Sequence, residues 1–118
     1  MAKNTVYMWT ESLALTCSSP TTPQSGDPVV CGQIPGVALT AEDSNGVTTV
    51  ALNGVFDLAV KGENNAGNSA VAVGDILYYE AGQTPPVNKD STAGIRFGYA
   101  LAAVSSGATT TIPVKIGY

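Results

Sequence analysis

The chain contains no histidine, only five lysine and arginine residues among 118, and no more than 12% charged residues. Imidazole is the commonest general base and metal ligand, so its absence excludes Ser-His and Cys-His nucleophilic sites and His-based zinc sites. Two cysteines cannot close a zinc site on their own. The cations Lys3, Lys61, Lys89, Arg96 and Lys115 are scattered and the formal net charge is −4. Neutralising phosphates takes clustered basic residues, so nucleic acid is not an expected partner. There is no phosphate-binding Gly-x-x-x-x-Gly-Lys-Ser/Thr loop and no Gly-x-Gly-x-x-Gly fingerprint, and no cofactor is expected. No apolar run approaches the roughly 20 residues of a membrane helix, and Met1-Ala2-Lys3-Asn4 is not followed by a signal-peptide core. A soluble protein made in a cytoplasm, with no membrane partner, is the expectation. In that reducing setting Cys17 and Cys31 are expected as free thiols packed as small hydrophobes, although they can pair if their strands are neighbours.

What is present is apolar and finely punctuated. Apolar residues make up 44% of the chain, and at this length folding hides roughly two-thirds of the unfolded surface, enough for one core. Residues 1–118 are therefore expected to form a single β domain, in which 1–25 supply an N-terminal strand and a Pro/Thr-rich loop. A surface so poor in charge suggests coverage by partners. Leu13, Leu15 and Cys17 alternate with Ser12, Ala14 and Thr16, the period of a half-buried strand. Residues 18–28 hold three prolines among small polar residues and predict a loop. Ile76-Leu77-Tyr78-Tyr79 predicts a strand, as do the stretches from Ile95 and from Ile112. Residues 62–69 and 83–93 predict connections, and nothing longer than a helical turn, at 66–72 or near Leu101, is expected.

Parity makes sharper predictions. A turn at Asn45-Gly46, or a longer loop of equal parity, pairs Leu39 with Leu52, Ala41 with Val50 and Val37 with Gly54, all apolar or glycine. Asn53-Gly54 is an equally good hairpin signal. Yet Val50, Leu52, Phe56, Leu58 and Val60 share one parity, which predicts a single long strand bent at Gly54 where another backbone approaches. Farther on, Ile95, Phe97, Tyr99 and Leu101 are expected on one face and Gly98, Ala100 and Ala102 on a small, closely packed other face. Pro113 cannot donate to a ladder, which predicts an edge strand or a bulge.

Candidate chemistry is thin. Glu42-Asp43 point to opposite faces if they lie on a strand, and beside Asn45-Gly46 they suit a solvated loop. Asp27 and Asp75 each follow a glycine, Gly26 or Gly74, at a strand entrance, where a short carboxylate accepts bonds from its own turn. Trp9, Tyr78, Tyr79, Tyr99 and Tyr118 offer a stacking surface and hence an alternative reading as a carbohydrate-binding module. Tyr78 and Tyr79 cannot share a strand face, so one is expected in the core. Val6-Tyr7-Met8-Trp9 carries the only tryptophan; it either caps the domain's own barrel or, with Leu13 and Leu15, contacts a neighbouring subunit or a larger assembly to which the protein binds.

Taken in order, Met1-Ala2-Lys3-Asn4, Ser25-Gly26-Asp27-Pro28-Val29-Val30, Gly36-Val37-Ala38, Leu52-Asn53-Gly54-Val55-Phe56, Gly74-Asp75-Ile76-Leu77-Tyr78, Gly98-Tyr99-Ala100 and Ile112-Pro113-Val114-Lys115-Ile116 resemble the tailed-bacteriophage capsid decoration, or cement, proteins. Ser18–Gln24 is longer and richer in Pro and Thr than that pattern, and Cys31 replaces a residue usually aliphatic or small. The resemblance implies a mainly β fold, a small β-barrel or β-tulip with long loops. It also implies a non-enzymatic virion protein on the outer surface of the capsid. Its partners would be the major capsid protein and, in a homotrimer, itself. It would bind at capsomer junctions and stabilise the expanded shell.

Overall fold

The computed structural model describes residues 11–116, which form eleven strands and no helix. They are β1 (Ser12–Leu15), β2 (Pro28–Cys31), β3 (Ile34–Ala38), β4 (Thr48–Ala51), β5 (Gly54–Lys61), β6 (Glu63–Asn64), β7 (Gly67–Asn68), β8 (Ile76–Tyr79), β9 (Val87–Asn88), β10 (Ile95–Ala100) and β11 (Thr109–Ile116). The first four make a sheet of order β1-β4-β3-β2, and a closed barrel runs β10-β11-β5-β9-β8. The expected small β-barrel is therefore present. Its longest ladder joins β5 and β11 in eight antiparallel rungs, from Thr109↔Lys61 to Ile116↔Gly54. Closure depends on β9, whose Val87 pairs in parallel with Val60 on one side and antiparallel with Tyr79 on the other.

Alternating residues of these strands fill the barrel: Leu58 and Val60, Leu77 and Tyr79, and Ile112, Val114 and Ile116 are all buried. Val30 and Val37 of the four-stranded sheet join that same core. The opposite face of the sheet holds a smaller cluster of Val29, Ala38 and Val50, packed by Leu15, Cys17, Cys31 and Leu52. A sheet covered on both sides no longer shows its register in its hydrophobic pattern. This is why the expected Asn45-Gly46 register is wrong: β3 and β4 pair Val37 with Ala51 and Ala38 with Val50. Both members of each pair are buried. The connection is longer than a two-residue turn and is organised by Asp43, whose Oδ1 accepts from the backbone N–H of Asn45 and Val47.

Neither reading of Asn53-Gly54 survives intact. β4 lies between β1 and β3, and β5 between β11 and β9, so no hairpin forms there. The strand is not continuous either; Leu52 and Asn53 carry the chain out of one sheet and Gly54 starts it in the other. Val50 and Val60 share parity but serve different cores. Gly54 takes φ +115°, a region that side chains rarely adopt, and a Cβ there would meet only the Phe56 ring. Conformation, not a neighbouring backbone, requires the glycine.

Three further expectations change. A register shift between Arg96 and Gly98 against β8 inserts one residue, so Phe97 and Ala100 both face inward while Tyr99 is only half-buried. A bulge of this kind exchanges the faces that strict alternation assigns. Gly98 does pack closely, since a Cβ there would collide with the Lys115 carbonyl. Pro113 lies in an inner strand, opposite Asp57 of β5. Its carbonyl accepts from the Leu101 N–H at 3.0 Å. In an antiparallel pair the N and O of one residue face the same neighbour, so the missing donor falls where β10 has ended. Lastly, the predicted connections contain short ladders: β6 and β7 form a hairpin within 62–69, and β9 lies within 83–93.

Candidate functional site

The two Gly-Asp pairs build the same turn twice. The Asp27 N–H donates to the Gln24 carbonyl at 3.0 Å, and the Gln24 N–H returns a bond to Asp27 Oδ2 at 2.9 Å. Asp75 repeats both bonds with Ala72, at 3.1 and 2.8 Å. Gly26 and Gly74 each take φ +90° and donate to Ala38 and Ala100, whose own N–H groups bind the carbonyls of Asp27 and Asp75. Each turn thereby locks the entrance of one strand to the end of another: β2 to β3, and β8 to β10. The Ala72 N–H, with Lys89 Nζ at 3.2 Å, holds the Asp75 carboxyl below the usual carboxylate range. These carboxylates are occupied with turn-making.

Asn88, Tyr79 and Tyr99 are likewise committed. Asn88 is fully buried and donates through Nδ2 to Glu80 at 3.1 Å and Glu63 at 3.4 Å, while its Oδ1 accepts from the Asp90 N–H. Tyr79 is the buried member of the tyrosine pair; its ring lies 6.2 Å from that of Phe97 and its hydroxyl meets Ser19 Oγ at 3.0 Å. Burial pushes its phenol upward, partly opposed by the Ser19 bond. Tyr99 lies on the outer face between Arg96 and Lys115, whose cationic groups stand 5.5 and 5.9 Å from its ring centre. Among the described residues no group of three His, Cys, Asp or Glu side chains is placed to hold a metal ion.

Leu13 and Leu15 lie on β1 within the chain's own sheet, opposite Val50 and Thr48, and remain half-buried. Val6, Tyr7, Met8 and Trp9 lie outside the described residues, as does Tyr118. The structure adds contact candidates that strict alternation hid. Val73 is 67% exposed, and Ile76 and Leu101 are also open to solvent. All three lie at one end of the β8–β10 pair, where Gly74 donates to Ala100 and Ile76 faces Tyr99. The sequence signal for Val73 was an apolar residue stranded in a turn; Leu101 was masked by the bulge.

The described surface thus offers apolar and mixed patches on a closed barrel. Comparison with curated proteins and with solved structures returned no match. A family model described as phage cement protein matches residues 9–116. That match spans the four-stranded sheet and the barrel and agrees with the order of glycine and apolar motifs along the chain, so the protein belongs to the phage cement protein family, with a structural role in the phage capsid.

Proposed function

We propose that this protein binds the outer surface of the phage head at junctions between capsomers, contacts the major capsid protein, and stabilises the shell after expansion. The match to phage cement proteins across residues 9–116 carries the reading. Three copies in a homotrimer would each make modest contacts, and linkage lets their combined avidity exceed a single contact by roughly a hundredfold or more. The acidic balance suits an external surface better than packaged DNA. Exposed Val73, Ile76 and Leu101 supply one apolar contact area, and Val6-Tyr7-Met8-Trp9, leading into half-buried Leu13 and Leu15, supplies another.

Co-sedimentation with expanded and unexpanded capsids of the same phage tests the proposal. The intact protein is expected to pellet with expanded shells and to raise their resistance to heat. Val73→Asp and Leu101→Asp should weaken binding at least tenfold while leaving the urea midpoint unchanged. Removal of residues 1–10, which spares β1, should weaken it as well. Failure of the intact protein to bind expanded capsids would overturn the reading; full binding by the truncated chain would remove only the N-terminal contact.

A further inference from the structure

We propose that Cys17 and Cys31 are a paired modification site: two thiols that close to an intramolecular disulfide when the protein passes from a reducing to an oxidising environment. The two sulfurs lie 3.0 Å apart, Cys31 donating to Cys17. Both cysteines are thiols and both are half-buried against the Val29, Ala38 and Val50 cluster. A disulfide needs S–S near 2.05 Å, so closure requires an approach of roughly 1 Å. The backbone on either side is already fixed: the N–H groups of Ser18 and Ser19 both donate to the Val30 carbonyl, Val30 donates back to Ser19, and Gly32 donates to Ser18 Oγ.

Topology says what the bond would do. β1 and β2 are the opposite edges of the four-stranded sheet. β1 is zipped to β4 through Leu15, yet Ser18 and Ser19 already bond to Val30 on β2. The chain between them crosses the sheet as a strap over the smaller core. A Cys17–Cys31 bond fastens the far end of that strap, so the sheet is clasped at both edges and the Pro-rich loop becomes a closed covalent ring.

The chemistry balances by exchange with a low-molecular-weight disulfide such as oxidised glutathione. Burial, and then the contact with Cys17, push the Cys31 thiol up to about 12. The products are the same whichever sulfur attacks first; with Cys17 first, its proton goes to solvent. Its thiolate forms a mixed disulfide and expels one glutathione thiolate. Cys31 then gives its proton to solvent, attacks Cys17 Sγ, and expels the second. The protein loses two electrons and two protons, and the reagent gains both as two thiols. Virion surfaces are among the oxidising environments where disulfides persist. The timing, after release from the host, rests on the proposed virion location; the reactivity of the pair does not.

The test uses the purified full chain in glutathione buffers of graded redox ratio. Oxidation should lower the intact mass by about 2 Da, abolish alkylation of both cysteines, and leave the chain a monomer on a non-reducing gel. After cleavage at Asp27 the two flanking fragments should stay joined until reduced. Tm should rise by about 10 °C on oxidation, as expected for a loop of this size. Cys17→Ser and Cys31→Ser, checked for folding by circular dichroism, should show neither the mass loss nor the gain in Tm. Thiols that stay alkylatable while a reference dithiol oxidises, a stable glutathione adduct without closure, or a disulfide between chains would each overturn the proposal. Oxidation normal in mass and Tm but without capsid binding would count against the cement role alone.

Discussion

Asp75 shows how much a single acid contributes to this fold through one local turn. Its carboxylate accepts the Ala72 N–H and an ion pair from Lys89, which itself donates to the Ala70 carbonyl. The carboxyl is therefore held below its ordinary value, chiefly by the backbone bond, which outweighs the opposing effect of burial, with Lys89 adding to the lowering. A group depressed in the folded state stabilises above its unfolded value, and that contribution disappears as pH falls through the folded one. Because both partners are partly exposed, solvent screening keeps the effect near 1 kcal/mol. Asp75→Ala should lower the urea midpoint at pH 7, and the difference from the unaltered protein should narrow in acid as the folded carboxyl is protonated, leaving what an uncharged acceptor still supplies to Ala72. Asp75→Asn keeps an acceptor for Ala72 and should fall between the two. Equal losses at pH 7 and in acid would show that shape, not charge, matters there.

At the scale of strands, what the sequence disclosed depended on how many faces of an element are buried. β1 was visible in its alternation, β8 as a short apolar run after Gly74-Asp75 and β11 in the Ile112, Val114, Ile116 series, whereas the barrel was implied only by the family resemblance. The register of β3 on β4 was not, because Val37 and Ala38 are both buried, in different cores. One inserted residue near Phe97 likewise reversed the faces beyond it. Gly26-Asp27 and Gly74-Asp75 were legible as turns because their chemistry is local, whereas exposed Val73 and Leu101 depend on what leaves them uncovered. β9 was the hardest to see: two residues in a polar stretch, recognisable only by what they join. Val87 is fully buried between β5 and β8. Val87→Ala leaves a void at the seam and should cost about 2 kcal/mol, whereas Val73→Ala, on the surface, should cost almost nothing. Urea unfolding of the two variants separates these outcomes, and a Val87→Ala midpoint close to normal would mean that closure does not depend on β9.

For the whole molecule, the question is whether barrel and sheet resist load as one body. Val30 and Val37 reach from the sheet into the barrel core, and Ser19 meets Tyr79 across the same junction. Gly54 carries the chain directly from one sheet to the other, leaving only Leu52 and Asn53 between their strands. In the proposed role, linking capsid subunits would pass force through the protein, so a weak joint between two separately folded parts would yield first. A shared apolar core prevents this, because opening either sheet exposes side chains buried by both. Val37→Ala, made in the sheet, should therefore destabilise the barrel by about 2 kcal/mol. Amide hydrogen exchange followed by mass spectrometry should speed up together in peptides from β4 and from β11. Faster exchange confined to β4, with β11 unchanged, would mean that the two sheets open independently and that the joint between them, not the contact with the capsid, limits the strength of the clamp.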